Sequence, residues 1–105
     1  MKYLKKIGGV RIKNFNATWP LVRLSVEPDF IVINILLYKK ILIPKSNILE
    51  IYEYNLLSLF AKGIIIKLKD DVNFGSIILK TNKIIFWYFG DTSELVKETK
   101  DIMNL

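Results

Sequence analysis

Two carboxylates three residues apart, Glu50 and Glu53 in "LEIYEY", are the pair in this chain that most invites general acid–base chemistry. That chemistry needs both groups beside one substrate. The residues around them alternate as in a β-strand, where positions three apart project to opposite faces, so the two cannot act together. A second cluster, Asp70, Asp71 and Asn73, offers oxygen ligands but lacks the glycine and closing glutamate of a calcium loop. It reads as a turn. The chain contains no histidine, which removes the usual general base near neutral pH and the commonest metal ligand. It also contains no cysteine, so thiolate nucleophiles, zinc–thiolate sites and disulfides are ruled out. Gly8, Gly9, Gly63, Gly75 and Gly90 match neither dinucleotide-binding nor P-loop spacing and read as linker and turn positions. The expectation is a protein that is not an enzyme, with no cofactor and no metal.

What remains for chemistry is charge. The formal net charge is +6, and residues 1–45 hold nine Lys and Arg against Glu27 and Asp29, whereas residues 46–105 hold seven against eight acids. Such asymmetry accompanies anionic partners. Arg11, Lys13, Arg23, Lys39, Lys40 and Lys45 are therefore the candidate contacts to an anionic surface. A Lys or Arg near an anionic membrane contributes about 1 kcal/mol. Four acting together would give roughly 4 kcal/mol, a dissociation constant near millimolar, too weak to localise a protein alone. Tyr38, Tyr52, Tyr54, Trp87 and Tyr88 could stack on bases beside this charge, but the alternation of aromatic and basic residues typical of RNA-binding sheets is missing. The reading goes against nucleic acid and assigns Trp19 and Trp87 to core packing.

The elements that must position these residues are short strands. "PLVRLSVEPD" alternates with Val22, Leu24 and Val26 on one face and Arg23, Ser25 and Glu27 on the other. Pro28 and Asp29 then turn the chain into Phe30–Tyr38. Further strands are expected at "ILIP", Ile48–Tyr54, "GIIIKLK" and "FGSIILK", with 55–62 ambiguous. Thr81-Asn82 is expected to turn into a seventh strand, Lys83–Phe89, apolar on both faces. Asp91 and Glu94 resemble a capping box, and Leu95, Val96, Thr99, Ile102 and Met103 recur at helical spacing. This predicts an amphipathic helix of about twelve residues, expected over the outer face of the seventh strand and sealing its aromatic side chains inside.

"ATWPLVRLSVEPDFIVIN", "ILIPKSNILEI" and "KGIIIKL", within Val10–Asn104, resemble bacterial pleckstrin-homology-like domains, as does the order of seven antiparallel strands and one C-terminal helix. The resemblance implies a mainly β fold, a seven-stranded, partly open barrel capped by one helix, in a superfold whose members bind phosphoinositides, peptides or other proteins. The loop after the first expected strand, "EPD", is short and acidic, unlike the basic loop of phosphoinositide-binding relatives.

The expectation is thus a single domain spanning 1–105, with 1–9 as a flexible N-terminal segment, acting as a non-catalytic module in protein–protein interaction or self-association. The alternatives are an anionic-lipid-binding domain using the basic N-terminal half, and nucleic-acid binding. "MKYLKKIGGV" lacks the apolar core and cleavage site of a signal peptide, and the longest nearly apolar run, Phe30–Tyr38, falls short of the roughly 20 residues of a membrane-spanning helix. A cytoplasmic protein is expected, at the membrane periphery under the lipid reading.

Overall fold

The computed structural model describes residues 3–12, 15–56, 61–72 and 81–105. The strands are β1 (Leu4–Ile12), β2 (Phe15–Val26), β3 (Phe30–Ile35), β4 (Lys39–Pro44), β5 (Ile48–Leu56), β6 (Ala61–Val72) and β7 (Thr81–Trp87), followed by helix α1 (Thr92–Met103). All strand pairs are antiparallel, in one sheet ordered β4-β3-β2-β1-β7-β6-β5. The sheet curls but stays partly open, because its edges β4 and β5 are joined only through a 3-10 turn, Lys45–Asn47. Asn47 ties that turn to β6: its side-chain oxygen accepts from Asp70 N at 2.9 Å and its amide donates to Asp70 O at 3.3 Å.

The period-2 pattern decides which side chains face inward. Val22, Leu24 and Val26 of β2, Ile64, Ile66 and Leu68 of β6, and Ile84 and Phe86 of β7 are buried in one cluster. Fully burying each such side chain stabilises by about 1.5–3 kcal/mol. The β2–β3 hairpin forms at Pro28-Asp29 as expected, with Val26 opposite Ile31 and Glu27 N donating to Phe30 O at 2.9 Å. Proline cannot donate to a ladder from inside a sheet, and Pro44 accordingly sits at the end of edge strand β4.

Two expectations change. Within the segment expected to be flexible, Leu4 to Gly9 belong instead to β1, the strand that pairs with both β2 and β7 and so joins the two halves of the sheet. Thr81 and Asn82 are not a turn but the start of β7, with Thr81 opposite Val72. The expected strand in "FGSIILK" and the ambiguous loop around 57–60 lie outside the described residues.

The chain bends at Gly8-Gly9. Between Gly8↔Val22 and Val10↔Ala17, β1 advances two residues while β2 advances five, so Thr18–Leu21 form a wide bulge on β2. A Cβ on Gly8 would collide with the carbonyl oxygen of Trp87, and one on Gly9 would stand 2.7 Å from that of Ala17. Only glycine lets the neighbouring backbones come this close.

The helix keeps its predicted extent but takes a different seat. Asp91 caps it, accepting from Glu94 N at 3.1 Å and from the Ser93 hydroxyl at 2.7 Å. These donors, the Ser93 hydroxyl first, hold the Asp91 carboxyl below its ordinary value. At the other end Asn104 turns left-handed (φ 57°), and Leu105 N donates to Lys100 O, closing a Schellman motif. Leu95, Thr99 and Met103 are buried, and Leu95 and Met103 join Ile84 and Phe86 in the core. The helix therefore plugs the inside of the sheet, and the outer face of β7 is left for something else.

Candidate functional site

The outer face of β7 carries Ile85 and Trp87, and Phe89 follows just beyond the strand. In the ladder Trp87 stands between Gly9 and Gly63, two residues with no side chain. A Cβ on Gly63 would meet the Trp87 ring at 3.2 Å, so the glycines give the indole room to lie across the sheet. Tyr54 of β5 meets Trp87 edge-on, with centroids 5.4 Å apart. From the β2 bulge, Trp19 meets Phe89 edge-on at 5.7 Å. Edge-to-face pairs of this kind add about 0.5–1.5 kcal/mol beyond burial. Yet Trp19 is 53% and Phe89 78% exposed. Trp19, Trp87, Tyr88 and Phe89, with Ala17 and Lys62, line an open groove of about 360 Å³. The assignment of both tryptophans to core packing is thus corrected: they face outward.

A second concavity, about 740 Å³, lies on the outer face of the β1–β4 half. Its rows follow from register: Ile7, Arg23, Asn34 and Lys40 stand in line across four strands, with Lys5, Ser25, Val32 and Leu42 in the next line. Arg23 and Lys40 of the six predicted cations meet here, joined by Lys5, which had been placed in the N-terminal segment. Lys6 borders the same space, but its ammonium lies 5.6 Å from the Tyr88 ring centroid. Among the described residues Glu27 is the one acid at the rim.

The other predicted cations lie elsewhere. Arg11 is past the Gly8-Gly9 corner, opposite Asn16 and Ile85. Lys39 is half-buried opposite Ile35, and Lys45 borders a separate recess with Asp29 and Lys69. Lys13 is outside the described residues. Since Ile12 pairs with Phe15, the β1–β2 connection falls at Lys13-Asn14, and "EPD" is the connection after it. The acidic "EPD" therefore stands at the β2–β3 connection and not between the first two strands, where it was expected.

Glu50 and Glu53 do part as expected: Glu50 is opposite Lys67, while Glu53 accepts a long hydrogen bond, 3.4 Å, from the Thr92 hydroxyl at the start of α1. Among the described residues no three His, Cys, Asp or Glu side chains are grouped to hold a metal, and no helix is long and apolar enough to cross a membrane.

No family model matches the chain, and no curated protein matches it. Solved structures do match. One, described as "Synaptonemal complex protein", superposes with a TM-score of 0.71 at 10% identity over 96% of this chain. The match covers 27% of that protein's chain, so the sequence spans about a quarter of it. At this identity the likeness is one of fold.

Proposed function

We propose that the chain is a non-catalytic, pleckstrin-homology-like binding module that mediates protein–protein interaction or assembly in the cytoplasm. The observation that carries this reading is the aromatic groove: Trp19 and Phe89 pack against each other while both stay largely open to solvent. Exposed apolar patches mark interaction sites, and tryptophan is among the residues that most often anchor interfaces. The strand order and the terminal helix agree with the resemblance but carry no function by themselves.

The test is a pull-down with size-exclusion chromatography on wild type and on Trp19→Ala/Phe89→Ala. The wild type should retain a partner or self-associate, and the double variant should lose this while its melting curve stays close to wild type. A strictly monomeric wild type with no retained partner would overturn the reading.

A second reading, a peripheral anionic-lipid contact, is favoured by Leu37. This residue sits fully exposed at the tip of the β3–β4 turn with φ 64°, followed by Tyr38, Lys39 and Lys40. A left-handed conformation costs a branched side chain of order 1 kcal/mol, so an apolar residue kept there points to a use outside the fold. Co-sedimentation with phosphatidylserine vesicles should fall with salt and with Leu37→Asp; indifference to both removes the reading.

A further inference from the structure

We infer that the concavity on the outer face of β1–β4 takes an acidic, extended segment of a partner protein. This rests on the protein-binding reading but on a different surface from the aromatic groove. Neighbouring strands are about 4.8 Å apart, which puts the backbones of Arg23 and Lys40, two strands apart, about 10 Å from each other. Lys5 is diagonal to Arg23, at about 7 Å. Three cations spread in this way do not converge on one small anion. They match carboxylates on alternate residues of an extended chain, which repeat at about 7 Å. Ile7 and Val32 lie in the same two rows, so the methylene stems of those carboxylate side chains have an apolar place to rest.

Charge decides among occupants. Among the described residues no ion pair engages Lys5, Arg23 or Lys40, and Glu27 is the single rim acid. The chain's +6 steers acidic partners toward it, whereas a second copy carries the same +6. A flat bilayer does not follow a concave sheet face. Nucleic acid would need a series of rings for stacking, and among the described residues Tyr3 is the one ring that lines this concavity.

The experiment is fluorescence anisotropy on the full chain with a labelled peptide carrying Glu on alternate residues and Thr between. Its Gln analogue, phosphatidylserine vesicles and a single-stranded oligonucleotide serve as competitors, and sedimentation velocity reports self-association. The Glu peptide should bind, the Gln analogue should be weaker by about tenfold or more, and affinity should fall as salt rises. Arg23→Glu/Lys40→Glu should cost about tenfold or more, with Arg23→Gln/Lys40→Gln as the second variant if charge reversal impairs folding. Trp19→Ala/Phe89→Ala should leave the titration unchanged, which separates failure of this inference from failure of the groove. Equal binding of Glu and Gln peptides, or indifference to the Arg23 and Lys40 changes, would overturn it. So would displacement of the peptide by vesicles or oligonucleotide, or self-association lost with those two cations.

Discussion

The two outward faces of the sheet differ far more than the two inward ones. On the β1–β4 half the outer rows mix charge with scattered apolar residues, as in Ile7–Arg23–Asn34–Lys40. On the β7–β5 half charge is confined to one row, Glu50–Lys67–Lys83, and the next two are aromatic and aliphatic, with Tyr52, Ile65 and Ile85 in one and Trp87 lying between glycines in the other. Ile65 is buried although it points away from the core, because its row is itself a small apolar layer. The inner faces, by contrast, are nearly uniform Ile, Leu and Val. The inner face is constrained by close packing, where a single methylene matters. The outer face is free of that constraint, and the sequence uses the freedom differently on each half.

This contrast can be broken at β7, where inner and outer aromatics are three residues apart. Phe86→Ala should cost about 3–5 kcal/mol, because Phe86 is fully buried among Ile64, Ile84 and Leu95. Phe89→Ala should cost about 1 kcal/mol, the loss of its edge contact with Trp19 at an exposed site. Urea denaturation of both variants measures the difference, and equal losses would place Phe89 in the scaffold. Next in size is Gly8→Ala, which forces a Cβ against the Trp87 carbonyl and the Phe86 ring at the junction of the halves. A loss of about 3 kcal/mol is expected in the same assay, with weakened pairing of β1 to β7 seen as faster amide exchange at Gly9–Arg11. A third change runs the other way. Thr99 is buried and its hydroxyl has no partner among the described residues, so Thr99→Val should stabilise by about 1 kcal/mol, read as a raised melting temperature.

The legible part of the fold was the part written in alternation. β2, β3 and α1 follow from "VRLSV", the Pro28-Asp29 turn and the Leu95–Met103 stripe, because each element's burial pattern is carried by its own residues. β1 was not read, although Leu4, Gly8, Val10 and Ile12 keep one parity and Lys5, Ile7 and Arg11 the other. Two adjacent glycines look like a linker when the backbones that crowd them are not yet known. The helix seat was missed for a related reason: amphipathicity says that one stripe is buried, not against which side of the sheet. Of the site, Arg23 and Lys40 were legible as cations, but their meeting with Lys5 depends on register between strands distant in sequence. Trp19 shares the parity of Leu21 and Arg23, an outward signal that its bulk concealed. A large aromatic is more often core than surface, and here the bulge at Thr18–Leu21 turned it out.

The central claim is that the aromatic groove stands open in the free protein and is covered when a partner binds. Acrylamide quenching of Trp19 fluorescence in a Trp87→Phe background measures this directly, before and after saturation with the partner fraction retained by the protein. The account predicts ready quenching in the free chain and marked protection in the complex. A Trp19 already shielded in the free chain, or equally quenched in both states, would contradict it.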